Sequence, residues 1–397
     1  MIVPSKFAVF APLFPPATLG GGPIRTIKAL VDSVPTNMEA FVFTSDRDLH
    51  QSNPLQVTGN EWSVVDGVSV YYGTASSLHA YLLGLRAVRK KRPQVTYYNS
   101  FFSSRFSLFP QLLGHIGFWR GAQILLAPRG EFGRGALAIR PLKKRIAVSV
   151  YKMLGLHRGV VWHASSTNEA EDIRAVFGEV ARVLVREDET ALPIVAQLPR
   201  EARGSDSLRI VFVSRLHPMK GLDVLLRSLM LTQSAITLDV YGNVEDRQYV
   251  NGCQELIDEL PANVLCNLHG SIPPEAVRAT FARGDVFVFP TAGENFGHVI
   301  AEALSVSCPV MCSDVTPWTG VLRNAGCQVL GSRDPQEWGI AIDLFAALSP
   351  DEVLERRRAA GAAFNSWRDL DKGEHVFALM TRPDFVQKPR HAGGSEL

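Results

Sequence analysis

Two α/β domains, each built on a doubly wound parallel sheet, are what this 397-residue sequence predicts. Three observations lead there. Short β-rich apolar runs alternate with helix-spaced segments through the first half. The same alternation starts again after residue 207. Between the halves, Thr190 to Ser207 has the scattered Pro, Gly and Ser of a linker. The predicted organisation is a domain over 1–190, a linker over 191–207, a second domain over 208–366, a returning segment over 367–385 and a disordered tail over 386–397.

The elements follow in order. The first half predicts strands at 7–13, 40–44, 68–72, 95–98, 123–127, 160–163 and 182–185, with helices at 24–34, 77–89, 104–116, 136–156 and 168–177. Ser166 and Glu169 form the Ser-x-x-Glu of a capping box at the start of the last helix. The second half predicts strands at 209–214, 236–241, 263–268, 285–289, 309–312 and 327–330, and helices at 219–231, 247–259, 274–282, 297–306 and 335–347. A charged helix over 351–363 closes it.

Chemistry concentrates at two strand-to-helix turns of the second half. After the strand 285–289 come Thr291-Ala292-Gly293, then Glu294-Asn295-Phe296-Gly297-His298, then a helix carrying Glu302. Eight residues separate the two glutamates, roughly 12 Å if the spacing were all helical. The amides of Asn295, Phe296 and Gly297 approach a helix start, where unpaired N–H groups favour an anion. One carboxylate at the mouth and one further down suit two hydroxyl-bearing groups on either side of a phosphate, the shape of a nucleotide-sugar. A helix with an acidic start and one solvated glutamate is the plainer alternative. About eighty residues upstream, Arg215-Leu-His-Pro-Met-Lys220-Gly221 follows the strand 209–214. It sets two cations at another such turn, ready for a diphosphate or simply a basic loop.

Taken together, the two turns resemble the donor site of retaining glycosyltransferases of family four, which have the GT-B fold. In that family an Arg-x-x-x-x-Lys-Gly loop and two glutamates, seven residues between them, share one nucleotide-sugar. Here they stand as Arg215, Lys220, Gly221 and as Glu294, Glu302, with Asn295-Phe296-Gly297 matching the usual x-F-G. The likeness extends from the first glycine loop to about Phe345. It implies two Rossmann-like domains facing each other across a cleft, with the segment 367–385 crossing back to the first. It also implies transfer of a hexose-type sugar to a hydroxyl acceptor with retention of configuration. Arg215, Lys220 and Glu294 are then the catalytic candidates, and Glu302 the holder of the ribose hydroxyls.

The first domain supplies the rest. Thr18-Leu19-Gly20-Gly21-Gly22-Pro23 follows the first strand; glycines there allow close backbone approach, and Pro suits a first helical position. A tight turn would read the same. The resemblance places Gly21 and Gly22 against the donor phosphates, with Arg25 nearby. Pro128-Arg129-Gly130-Glu131 ends the strand 123–127, where many members of that family carry a histidine touching the transferred sugar. Arg129 and Glu131 are either substrate contacts or structural charges here. A second departure is Val185-Arg-Glu-Asp188-Glu, where the family leads one to expect asparagine. His298 and His163, near strand ends, are either structural or catalytic, and His298 is also a candidate acceptor or sugar contact.

Composition bounds the alternatives. The chain is 46% hydrophobic and 20% charged, and no apolar run approaches the ~18 residues of a spanning helix. The apolar start, 7–14, contains Pro12 and reads as a strand rather than a signal peptide. Five cysteines lie in the second half without metal-ligand spacing, which predicts reduced thiols and a cytoplasmic protein. Residues 1–190 carry 22 Lys and Arg against 14 Asp and Glu, and the remainder 19 against 25. The basic excess gathers at 89–92 and in Arg140, Lys143, Lys144, Arg145 and Lys152. Those runs are solvated helix faces or contacts to an anionic membrane or lipid-phosphate acceptor, at the inner face of a membrane. No nucleic-acid motif accompanies them. Gly133-x-Gly135-x-x-Ala138 lacks the acidic residue a dinucleotide site needs, and Asp46-Arg47-Asp48 reads as a polar loop rather than a metal pair. No cofactor is expected, and Arg215 and Lys220 can supply the charge a divalent ion would. A nucleotide-sugar 2-epimerase and a non-catalytic nucleotide-sugar-binding protein remain as rival functions.

Overall fold

The computed structural model of the chain describes residues 4–74, 77–199, 207–370, 373–382 and 385. The tail 386–397 and the linker residues 200–206 lie outside them. The chain divides into two compact units, Met1–Ala191 with Lys372–Leu397, and Leu192–Asp371.

The first unit is a sheet of eight strands: β1 (Ser5–Phe10), β2 (Met38–Ser45), β3 (Trp62–Val65), β4 (Val68–Gly73), β5 (Val95–Asn99), β6 (Gln123–Ala127), β7 (Val160–Ala164) and β8 (Arg182–Val185). Their order is β3-β4-β2-β1-β5-β6-β7-β8. All pairs are parallel except β3 with β4. Both faces are covered, as a parallel sheet requires. Alternation along β1 sends Ala8 and Phe10 to a core with Phe43, Tyr98 and Trp162, and Phe7 and Val9 to another with Val42, Tyr97 and Val161. Val376, Phe377 and Met380, from the helix Val376–Met380, complete the second core, with Phe377 stacked on Phe7 at 4.3 Å.

The second unit is a parallel sheet of β9 (Leu208–Val213), β10 (Ile236–Tyr241), β11 (Val264–Gly270), β12 (Val286–Phe289), β13 (Val310–Ser313) and β14 (Gln328–Leu330), in the order β11-β10-β9-β12-β13-β14. One apolar core fills it, from Phe212 and Phe289 to Trp338 and Phe364. The fold class is therefore the expected one, two Rossmann-like α/β units with parallel sheets.

Four expectations change. The predicted helix 136–156 is two helices, Arg134–Ala138 and Pro141–Met153. Proline at 141 has no N–H and disfavours α backbone before it, so Arg140 takes φ 54° and breaks the run. The strand β3 and the helix Thr319–Asn324 are additions. Trp367, expected to begin the crossover, instead lies in the last turns of the helix Pro350–Asp369, inside the second core. Leu192 and Ala196, expected in the linker, pack against that same core.

Each sheet reverses its direction of growth once. In the second unit the chain builds outward from β9 to β10 and β11, then from β12 to β13 and β14, so the reversal falls between β9 and β12. In the first it falls between β1 and β5. Ligands of open α/β sheets bind beyond the carboxyl ends of the strands at such points.

Candidate functional site

The two turns singled out from sequence are the ones that flank the reversal in the second unit. β9 leads into a turn ending in a short 3-10 segment, Pro218–Lys220, and β12 leads into Pro290–Gly297. The turns are pinned together by their backbones. The amide of Ala292 donates to the carbonyl of Met219 at 2.8 Å, and the Thr291 hydroxyl donates to the same oxygen at 3.0 Å. Gly221 sits at φ 78°, and a Cβ there would stand 2.1 Å from the Pro290 carbonyl oxygen, so no other residue fits without moving a turn. Arg333 reaches in from beyond β14, its Nε donating to the Pro290 carbonyl at 3.0 Å and its Nη2 to the Pro218 carbonyl at 3.5 Å.

Across this junction the Lys220 ammonium is ion-paired with Glu294, the two side chains only 13% and 12% exposed. Gly297, at φ 81°, ends the second turn where a Cβ would meet the Trp318 ring at 3.1 Å. The Trp318 indole N–H donates to the Phe296 carbonyl at 2.6 Å, and Phe296 is buried against the Trp318, His298 and Trp367 rings. The helix His298–Leu304 follows, with Glu302 buried in it. The Asn295-Phe296-Gly297 turn is thus held from below by tryptophan. Cys312, at the end of β13, is buried, and burial with the nearby Glu294 charge pushes its thiol up. All five cysteines are free.

Arg215 goes elsewhere. Its Nη1 contacts Glu245 at 2.8 Å, on the turn after β10, and both side chains are well exposed. That turn lies against its neighbour: a Cβ on Gly242 would stand 1.7 Å from the Ser214 carbonyl oxygen, and the Leu216 amide donates to Asn243 at 2.8 Å. Lys220, Glu294 and the 295–297 turn are therefore together, while Arg215 and Lys220 hold separate carboxylates. An exposed pair such as Arg215–Glu245 is worth at most about 1 kcal/mol, so it is readily exchanged for a stronger anion.

In the first unit the glycine loop leads into the helix Gly22–Asp32, with Gly21 at φ 63° and Pro23 in its first turn. Asp48 holds the loop, accepting from the Thr18 amide at 2.8 Å and the Leu19 amide at 3.2 Å. The Asp-Arg-Asp stretch thus has a structural task that its own sequence does not announce. Arg25, on the helix, is half-buried, and desolvation lowers its pKa.

Beyond β6, Arg129 takes φ 56° and is almost wholly enclosed. Its guanidinium pairs with Asp188, and donates to Asn99 Oδ1 and the Tyr97 hydroxyl, each at 2.6 Å. Thr26, beside Arg25, donates to Asp188 at 3.4 Å, which ties the glycine-loop helix to the same charge. Desolvation opposes the Arg129 cation, but Asp188 and the neighbouring Tyr97 and Glu169 outweigh it and raise the pKa. Glu131 accepts from the Ser100 hydroxyl at 2.7 Å and from the Phe101 and Phe102 amides, while burial pushes its carboxyl up. Arg129 and Glu131 are both engaged within the unit, each closing one turn.

His163 Nε2–H donates to the Arg186 carbonyl at 2.9 Å, and its Nδ1 accepts from the Tyr97 hydroxyl at 3.1 Å. Burial, with Arg129 adding to it, pulls its pKa down to about 3. The native ring is neutral, whereas an unfolded His titrates near 6.5. Below that pH the unfolded chain binds the extra proton, so stability falls with pH until about 3 and is regained above 6.5. Between pH 7 and pH 5 this one residue should cost about 2 kcal/mol. Urea titrations of wild type and His163→Gln at both values check it: the acid loss should shrink by that amount in the variant.

Among the described residues no group of three or more His, Cys, Asp or Glu could hold a metal ion, and no helix is long and apolar enough to cross a membrane. The residues that brace the candidate turns without having been singled out for it in the sequence are Arg333, Trp318 and Asp48, the last read only as part of a polar loop. Each acts across a long chain separation on another turn's backbone, and no local spacing marks them.

The Glycosyl transferases group 1 family model matches residues 196–363, so the second unit carries a domain of that family. Among curated proteins, a D-inositol 3-phosphate glycosyltransferase of Xylanimonas cellulosilytica is 27% identical over 220 residues, 52% of each chain. A phosphatidyl-myo-inositol mannosyltransferase of Mycobacterium leprae is 28% identical over 178 residues, 44% of each chain. The chain thus spans about half the length of the curated relatives it matches. Among solved structures, Anabaena HepE in complex with UDP and glucose is similar at a TM-score of 0.68 and 14% identity, covering 91% of this chain and 95% of that one. The sucrose-phosphate synthase of Thermosynechococcus elongatus is similar at 0.63 and 15%, covering 91% and 94%. At such identities the likeness speaks for the fold, which is GT-B.

Proposed function

We propose that this chain, with its Glycosyl transferases group 1 domain and GT-B fold, moves a hexose-type sugar from a nucleotide-diphosphate donor to a hydroxyl acceptor, with retention of configuration. The observation that carries the reading is the Lys220–Glu294 contact across the reversal between β9 and β12. A diphosphate entering there gives Lys220 a stronger anion than the single carboxylate it now holds. Glu294 is then released to accept from the sugar's hydroxyls. As the bond from the anomeric carbon to the phosphate oxygen breaks, charge grows on the leaving diphosphate, and Lys220 stabilises it more than it does the intact donor. Arg215, on leaving Glu245, adds a second cation. The acceptor oxygen bonds to the anomeric carbon on the face the diphosphate leaves, and its proton passes to the phosphate oxygen. Glu302 is assigned the ribose hydroxyls, Gly21 and Gly22 the donor phosphates, and Arg25 and His298 acceptor or sugar contacts.

UDP in one structural neighbour and the inositol and mannosyl names of the curated relatives support a nucleotide-sugar donor and a polyol or lipid-linked acceptor, in surface polysaccharide or glycolipid assembly. The reading puts the protein in the cytoplasm, at the inner face of the membrane. It needs no divalent ion at the diphosphate, so transfer should persist undiminished in excess EDTA. The deciding experiment incubates the purified protein with a panel of nucleotide-sugars and acceptors, following free nucleotide against epimerised donor. Nucleotide release that depends on acceptor supports transfer. Epimerised donor without acceptor would make it a 2-epimerase, and binding with no turnover a carrier of the donor.

A further inference from the structure

The helix Pro141–Met153 has two apolar faces, and only one of them is used. Of its thirteen residues Tyr151 alone is buried, packed on Phe101 and hydrogen-bonded to Gln111 at 2.5 Å. With 100° per residue, Ala147, Val148 and Tyr151 share the inward side. Leu142, Ile146, Val150 and Met153 fall within an arc of about 80° on the opposite side. They are 71%, 56%, 43% and 78% exposed. Four large apolar side chains in one outward stripe are more than the scattered exposure an ordinary surface shows.

The charge around the stripe is of one sign. From Glu131 to Glu169 the chain has seven Lys and Arg and no Asp or Glu between them. Lys143 borders the stripe on one side and Arg145 on the other, both exposed, with no carboxylate partner among the described residues. Lys144 and Lys152 turn back onto the unit instead. Lys144 donates to the Ala136 carbonyl at 2.6 Å and lies over the Phe102 ring, while Lys152 bonds the Val176 carbonyl. These contacts anchor the helix beside the Phe101–Phe102 turn that Glu131 closes.

We infer that this face is a docking surface for an anionic lipid bilayer, with the stripe set among the acyl chains and Lys143 and Arg145 at the headgroups. Charge complementarity selects this occupant. A second copy of the chain would bring Lys143 and Arg145 against themselves, and a purely apolar partner would leave them without counter-charge. Docking here would hold the Arg129–Glu131 side of the first unit near the membrane, which extends the proposal of a lipid-linked acceptor without depending on it.

Flotation with vesicles of phosphatidylcholine alone, and of phosphatidylcholine mixed with phosphatidylglycerol, tests this on the full chain. Binding should require phosphatidylglycerol and weaken with salt. Leu142→Ser/Met153→Ser and Lys143→Glu/Arg145→Glu should each reduce it at least ~10-fold. All four positions are exposed, so unchanged circular dichroism will show that the variants fold. Equal binding to both vesicle types, or variants that bind like wild type, overturns the proposal. So does a dimer in sedimentation that the Leu142→Ser/Met153→Ser change abolishes while vesicles are ignored. No donor or acceptor is present, so a failure of docking is separate from a failure of transfer.

Discussion

Lys220→Ala and Glu294→Ala are each expected to lower sugar transfer at least ~10²-fold, about 2.7 kcal/mol of barrier, the scale of one lost transition-state contact. The two losses should differ in kind. Without Lys220 the growing charge on the leaving diphosphate is unmet, so kcat falls most. Without Glu294 the sugar is held less firmly in register, so both kcat and KM change. Because the two side chains touch in the free protein, their effects should not add. The double variant should be markedly less impaired than the product of the single losses. Steady-state kinetics of the three variants, with thermal denaturation to exclude unfolding, provides the measurement. Near-normal turnover in both single variants would remove the site.

What the sequence revealed, and what it hid, divides by the range of the interaction. Strand and helix alternation is local, and it carried the fold class to the level of two parallel sheets. The Lys220–Gly221 and Glu294–Gly297 turns were legible because each follows a strand and contains a glycine with positive φ. The hairpin of β3 and β4 was legible too: Asp66-Gly67, at φ 48° and 81°, is a strong two-residue hairpin signal, and the Trp62–Val65 run before it should have been read as a strand. Arg140-Pro141 likewise marks a helix break on elementary grounds. The partner of Arg215 was not legible. A flexible arginine can reach several turns, and only the packing of Gly242 on Ser214 brings Glu245 within 2.8 Å. The same holds for Arg333, about forty residues from the carbonyl it binds.

The two places where the sequence departs from the family it resembles, Arg129 and the stretch Val185–Glu189, meet in the structure, because Arg129 and Asp188 form one buried ion pair. A buried guanidinium needs an anion beside it, and Asp188 supplies it. The pair's side chains are 8% and 3% exposed. Removing either partner should therefore leave a charge without adequate solvation, at a cost of about 3–5 kcal/mol. Asp188→Ala strands the guanidinium on the neutral Asn99 and Tyr97 oxygens. Arg129→Met leaves the carboxylate with the Thr26 hydroxyl, and this variant should regain stability in acid as Asp188 takes up a proton. Combining Arg129→Met with Asp188→Leu should recover most of the loss, since replacing both charges with apolar groups is often close to neutral. Removal of Arg129 should also let the His163 pKa rise from about 3, because that cation is the second cause holding it down. Urea titrations of the three variants at pH 7 and 5, with the His163 ring followed by NMR, test the set. Single variants costing under about 1 kcal/mol, or a double variant worse than both, would show that the pair is not one unit.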